Sequence, residues 1–365
     1  MLADPGVPRR DLARDLRASR ERSARITADL AGERLLGPML AIVNPPLWEI
    51  GHLGWFQERW CLRWRPDGSL GESILPGADA LYDSARVAHD TRWGLLLPEL
   101  AATRAYLAEV LGRVLERLER EPENPELAYF VRLSTFHEDM HAEAFLYTRQ
   151  TLGHADPFPN FSREKIIKNE DIGFKGGKFL LGAKPGGGFV FDNEKWAHEV
   201  EVAPFRMSTA PVTNAEYLAY VDDGGRAPRY WKKDSGRWLQ RRFDRWLPPV
   251  PEEAVLHVDC GEAEAYCRWA KRRLPAEAEW EFAAVSGKIP ATVGVWEWTA
   301  STFGPYAGFV IDPYQEYSEP WFGNHRVLRG GSFAAPARLL RETFRNFYTP
   351  DRGDIFAGFR TCALD

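Results

Sequence analysis

The stretch NPELAYFVRLSTFHEDMHAEAFLYTRQTL, residues 124–152, carries apolar side chains at three- and four-residue spacing along its whole length. That periodicity places an apolar stripe along one face and predicts a long amphipathic α-helix. Three earlier segments share it: DLARDLRASRERSARITADL (11–30), LWEIGHLGWFQERWCLRW (47–64) and LLLPELAATRAYLAEVLGRVLERLE (95–119). Loops holding Pro, Gly and Asp separate them. Four such helices in succession predict a four-helix bundle over residues 1–152.

From residue 153 the texture changes. HADPFPNFSREKIIKNEDIGFKGGKFLLGAKPGGGFVFDN (154–193) replaces long amphipathic runs with prolines, glycines and short β-prone pieces. A linker is predicted at 153–172 and a second domain at 173–365. Strand candidates there are GKFLLGA, HEVEVAPFRMS, HRVLRGGSF and FAGFRTCAL; helix candidates are TNAEYLAYVDD and CGEAEAYCRWAKRR. The expected class is therefore an α+β two-domain protein, and no internal repeat is visible.

A length of 365 residues suits two domains, each with a core of its own. The formal charge of -5 and the scatter of Lys and Arg offer no basic field for nucleic acid and favour small-molecule partners. The opening MLADPGVPRRDLARDLRASRERSARI holds no apolar stretch fit for a signal peptide or a membrane span, so a cytoplasmic protein is expected. Cys61, Cys260, Cys267 and Cys362 form no CxxC pair, which predicts reduced, mostly buried thiols rather than a disulfide framework. The 14 Trp, 12 Tyr and 21 Phe can fill two cores or line a pocket for a cationic ligand.

Within HEDMHAE (137–143), His137 and His141 are four residues apart and share a helix face, so they can hold one metal ion together or simply be two helix histidines. His52 adds weight to the first reading. It lies in NPPLWEIGHLGWFQE (44–58), an apolar, tryptophan-rich stretch that must face the bundle interior, where an unpartnered histidine is costly. Three neutral imidazoles suit Fe(II), Zn(II) or Cu(II) and leave coordination positions open. Glu143 points to another side of the helix and is expected to support the site rather than bind the metal.

The second half carries RLPAEAEWEFAA (273–284), GVWEWTAS (294–301), RVLRGGSF (326–333) and RNFYTPDRGDIFAGFRTCA (345–363). Together these resemble the formylglycine-generating-enzyme-like domain, a variant of the C-type lectin fold. Formylglycine-generating enzymes use cysteines shortly after RGGSF. Here Ala334 and Ala335 follow and no Cys appears until Cys362, so that activity is not expected.

A DinB-type helical bundle with His52, His137 and His141, placed ahead of such a domain, resembles the non-haem iron sulfoxide synthases of ergothioneine biosynthesis over nearly the whole chain. The resemblance implies Fe(II) on the three histidines. It also implies O2, a chalcogen donor and hercynine (N-trimethylhistidine) as small-molecule substrates, with the imidazole C2 of hercynine becoming a sulfoxide. Ergothioneine enzymes typically show a glutamine just before the second histidine of this helix, where this chain has Met140. NPPLWEIGH, YDSARVAHDTRW and PYQEYSEPWFGNHRVLRGG look closer to the related selenoneine-forming branch, whose donor is a selenosugar. A thiol donor, cysteine or γ-glutamylcysteine, is the alternative, and a lectin-like binding or metal-carrying module without turnover is the reading from another class.

By the same resemblance a proton-donating tyrosine follows the WEWT phrase, and FGPYAGF (303–309) makes Tyr306 the candidate. A trimethylammonium group cannot donate a hydrogen bond and calls for aromatic faces, which Phe347 and Tyr348 offer beside Asn346, while Met140 is the position expected at the substrate imidazole. A substrate carboxylate calls for a fixed guanidinium or amide: Arg352 and Asn346, with Arg86 or Arg92 from the bundle loop. Trp296, Glu297 and Trp298 are expected to lock the fold, RGGS (329–332) to form a glycine-set turn, and Glu277, Glu279 and Glu281 to serve a helix N-terminus.

Overall fold

The computed structural model describes residues 9–159, 163–291 and 294–364. Backbone contacts divide the chain into two compact units, 1–148 and 149–365. The first holds α1 (Arg9–Ile26), α2 (Pro46–Glu58), the short α3 (Ala78–Tyr82), α4 (Leu100–Arg120) and α5 (Pro125–Leu152), whose last turn counts with the second unit. All four long helices fall where the apolar periodicity predicts them.

Helix α2 starts with Pro46 in its first turn, where a missing N–H costs nothing. Every residue of it except Leu47 is buried, as befits a helix apolar on all sides. It stops at Glu58, six residues short of the predicted end, and gives way to a π-helical turn at Arg59–Arg63. Gly51 makes room on its surface, since a Cβ there would lie 2.3 Å from the Tyr82 ring. Arg20 of α1 ties the bundle together: its Nε donates to Glu138 on α5 at 2.8 Å, Nη1 to the Leu107 carbonyl on α4 at 2.8 Å, and Nη2 to Gln57 on α2 at 3.1 Å.

The second unit is α+β. Its strands are β1 (Asp171–Phe174), β2 (Gly177–Leu181), β3 (His198–Val202), β4 (Phe205–Ser208), β5 (Trp231–Asp234), β6 (Arg237–Arg242), β7 (Arg245–Leu247), β8 (Arg272–Arg273), β9 (Val295–Thr302), β10 (Arg326–Gly331), β11 (Asn346–Tyr348), β12 (Ala357–Gly358) and β13 (Cys362–Ala363). Its helices are α6 (Asn214–Asp222), α7 (Cys260–Trp269) and α8 (Glu277–Val285). One sheet runs β1-β4-β13-β8 and another β11-β10-β9-β12, with a β2-β3 ribbon and a β5-β6-β7 meander beside them. Phe174, Phe205, Met207 and Cys362 pack on Trp280 and Ala283 of α8, so the first sheet's core lies against that helix.

Two expectations are corrected here. RGGS is not a turn: β10 runs through Gly331 and pairs with β9 and β11, although Gly330 does need its φ of +90°. Of the three glutamates in PAEAEWEFAA only Glu279 serves the helix start, accepting from the Ala276 N–H at 2.7 Å. Glu277 instead takes Nε of Arg345 at 2.6 Å, and Glu281 pairs with Arg329, all four side chains being buried. Carboxylates this deep are tolerable only because guanidiniums meet them. Glu297 likewise pairs with Arg360 and accepts from Trp280 Nε1 at 2.9 Å, while Trp298 Nε1 donates to the Val258 carbonyl at 2.8 Å, so the WEW phrase locks the fold as expected.

All four cysteines are free and buried. Burial pushes each thiol up to about 12. No helix among the described residues is long and apolar enough to cross a membrane.

Candidate metal centre

Helix periodicity builds the site from two elements. On α2, Trp48, His52, Trp55 and Phe56 are spaced to share a face; on α5, His137 and His141 are one turn apart. The structure brings His52, His137 and His141 together, with one ring nitrogen from each lying within 4.8 Å of the others. Nε2 of His52 is 3.3 Å from Nε2 of His137.

The rings are clamped from both sides. Trp48 stacks on His52 at 5.0 Å between centroids and Trp55 at 5.5 Å, while Phe56 lies flat on His137 at 3.5 Å. His52 Nδ1 donates to the Tyr82 carbonyl at 2.8 Å and His141 Nδ1 donates to Glu49 Oε1 at 2.6 Å. With Nδ1–H of each ring committed to its acceptor, Nε2 is the nitrogen left to face the cluster. Burial, and then the neighbouring imidazoles, hold His52 and His137 well below the ordinary histidine range, so both rings are neutral. His141 is the member that reaches solvent, with 20% of its side chain exposed.

Three convergent ring nitrogens with two Nδ1–H groups already committed fit a divalent transition metal. The sequence did not single out Glu49. Its signal was a carboxylate three residues before His52 in WEIGH, but the histidine it holds sits on another helix, 92 residues away.

The other candidate residues are placed as follows. Met140, half-buried, directly precedes His141 on α5. Arg86 is largely exposed, with Nε 3.3 Å from Asp83; Arg92 is buried over the Trp48 ring at 3.9 Å and donates to Asn44 Oδ1 at 2.6 Å. In the second unit Asn346, Phe347 and Tyr348 form β11, half-buried. Phe347 stacks on Phe303 at 4.1 Å, and Asn346 Oδ1 accepts from the Phe347 N–H at 2.9 Å. Arg352 lies over the Tyr348 ring at 4.9 Å and grips Asp354 through Nε at 2.6 Å and Nη2 at 2.7 Å. Tyr306 is buried, its hydroxyl donating to Glu277 at 3.2 Å and its ring beneath Arg345 at 4.0 Å.

Comparison with known proteins follows the same division. Residues 15–145 match the DinB superfamily, and 158–292 with 292–364 match the sulfatase-modifying factor enzyme 1-like domain. Hercynine oxygenase of Mycolicibacterium thermoresistibile is 33% identical over 432 aligned positions, covering 97% of this chain and 95% of the relative. Hercynine oxygenase of Mycobacterium tuberculosis is 32% identical, covering 96% and 97%. The formylglycine-generating enzyme of Streptomyces coelicolor is 27% identical over only 58% of this chain. With both domains matched in order and relatives aligned end to end, the chain belongs to the hercynine oxygenase family of oxidoreductases, in which a DinB-type bundle precedes a sulfatase-modifying-factor-like domain.

Proposed function

We propose that this oxidoreductase is a ferrous-iron- and O2-dependent synthase that joins selenium from a selenosugar to the imidazole C2 of hercynine, giving selenoneine by way of a selenoxide. The observation that carries the reading is the convergence of His52, His137 and His141 within 4.8 Å in a chain aligned over 97% of its length with a hercynine oxygenase. An Fe(II) ion held by these three nitrogens supplies the redox chemistry by which O2 is reduced and the chalcogen oxidised.

The chain's own residues select and orient the substrates. Phe347 and Tyr348 offer aromatic faces to a trimethylammonium group. Asn346, whose Oδ1 is held by the Phe347 N–H, keeps its amide donors for a carboxylate. Arg352 is paired with Asp354 and the more exposed Arg86 with Asp83, so either guanidinium would meet an anionic substrate group as part of an ion pair. Tyr306 is the proton source. Burial, and then the Glu277 charge, push its phenol well above the usual range, which keeps the proton in place until it is needed.

Met140 supports the selenium donor, standing where the sulfur-using enzymes carry a glutamine that holds the substrate imidazole. The relative also aligns over 432 positions against the 365 residues of this chain, so it carries stretches that this chain lacks and its donor pocket need not be shared. The sulfur reading, with cysteine or γ-glutamylcysteine as donor, draws its support from the identity of 33% to a hercynine oxygenase. Side-by-side turnover of hercynine with a selenosugar and with each thiol decides: product from the selenosugar is expected, and rapid turnover of a thiol with none of the selenosugar assigns sulfur. A chain that binds metal yet turns over neither donor is a binding module.

A further inference from the structure

Glu49 is 1% exposed, and among the described residues no Lys or Arg lies within ion-pair distance of it. Arg92, a buried cation, acts on Glu49 through charge alone, its N–H groups going to Asn44 Oδ1 and the carbonyls of Val87 and Ser84. The partner that Glu49 does have is Nδ1 of His141, at 2.6 Å. A carboxylate taken out of water without a full cation is expensive, and burial alone does not explain why this one stays. Its place explains it: Glu49 stands one turn before His52 on α2 and holds a histidine of α5, so a single bond joins both helices that carry the cluster.

Resting on the metal reading above, we propose that Glu49 is the positioning residue of the centre, supplying the negative charge that three neutral imidazoles lack for a divalent cation and fixing the tautomer and aim of His141. Such outer carboxylates typically contribute ten- to a hundredfold in metal affinity. The cost is borne by the metal-free protein, in which the charge is offset by the His141 hydrogen bond and by Arg92 beyond ion-pair distance.

The test uses the full chain with Co(II) and Fe(II), affinities measured by competition with a chelator and the Co(II) site followed by its visible absorption. Glu49→Gln, which keeps shape and a hydrogen-bond acceptor but no charge, should weaken both metals about tenfold or more and alter the Co(II) spectrum. The metal-free variant should melt at or above the wild-type temperature. Glu49→Asp should recover part of the affinity, and Glu49→Ala should bind more weakly than Glu49→Gln. Affinity within twofold of wild type in Glu49→Gln overturns the proposal; so does a loss of affinity that merely tracks a lower melting temperature of the metal-free protein, since that assigns Glu49 to the fold. His52→Ala separates the two layers. If it binds Co(II) as wild type does, the metal centre itself is wrong; if it does not, while Glu49→Gln does, only the role of Glu49 falls.

Discussion

Gly51 and Tyr82 are in contact across α2 so closely that a single added methyl group would lie 2.3 Å from the tyrosine ring, and the carbonyl of that same tyrosine holds Nδ1 of His52. The smallest side chain on the helix therefore sets the position of a metal-ligand candidate one residue further on. Gly51→Ala should gain a little helix propensity but lose about 1–3 kcal/mol to overpacking. Because Tyr82 must move, metal affinity should fall with it. Chelator competition combined with thermal melting checks this, and unchanged affinity in a destabilised variant would uncouple Tyr82 from His52.

Glu277 takes the guanidinium of Arg345 and the hydroxyl of Tyr306 in the interior of the second unit. Burial works to raise its carboxyl, but Arg345 and then Arg329 outweigh it and hold the group below the ordinary carboxylate range. Glu277→Gln leaves two guanidiniums short of charge and should cost about 3–5 kcal/mol. For a unit of this size that is a fall on the order of 10 °C in melting temperature. A shift under about 2 °C would mean that water or a rearranged carboxylate takes over.

His257 has a φ of +64° and a ring buried against Tyr230 and Phe356. Burial, with Arg163 adding to it, lowers its pKa to about 3. The unfolded chain therefore protonates first, near pH 6.5. The stability of the neutral buried ring is complete above that pH and drains as pH falls toward 3, at about 1.4 kcal/mol per pH unit. His257→Asn, a residue that accepts positive φ, should be less stable at neutral pH yet lose stability less steeply from pH 6 to pH 4. Parallel denaturation curves for the two proteins across that range would remove His257 from the acid limb.

Tyr306→Phe deletes one hydrogen bond to a carboxylate that keeps its arginines, so about 1 kcal/mol of stability should be lost. Its larger effect should be chemical. With the proposed proton source gone, O2 consumption should continue while product shifts from the hercynine adduct to oxidised donor alone. The ratio of adduct to oxygen consumed is the measurement; an unchanged ratio assigns Tyr306 to packing.

The bundle was legible because its helices bury stripes at helical spacing, and an i, i+4 histidine pair on such a stripe can be read without a structure. Glu49 could not be read the same way, since its meaning lies in a residue 92 positions away. Glu277 and Arg345 are 68 apart, and a local rule about helix N-termini captured Glu279 but misassigned its neighbours. The β5-β6-β7 meander escaped notice because WKKDSGRWLQRRFDRWL is too rich in charge to show apolar alternation, its register being fixed instead by pairs such as Lys233 with Trp238 and Arg241 with Trp246. The candidate site was more legible in the bundle, where faces of two helices carry it, than the long-range ion pairs were in the second unit.

The four cysteines have a last consequence. Oxygen chemistry on a thiol or selenol generates sulfenic or selenenic species that capture any thiolate within reach. Buried thiols whose pKa is pushed up to about 12 offer almost no thiolate at neutral pH. Turnover by the proposed reaction should therefore leave all four side chains unmodified by mass.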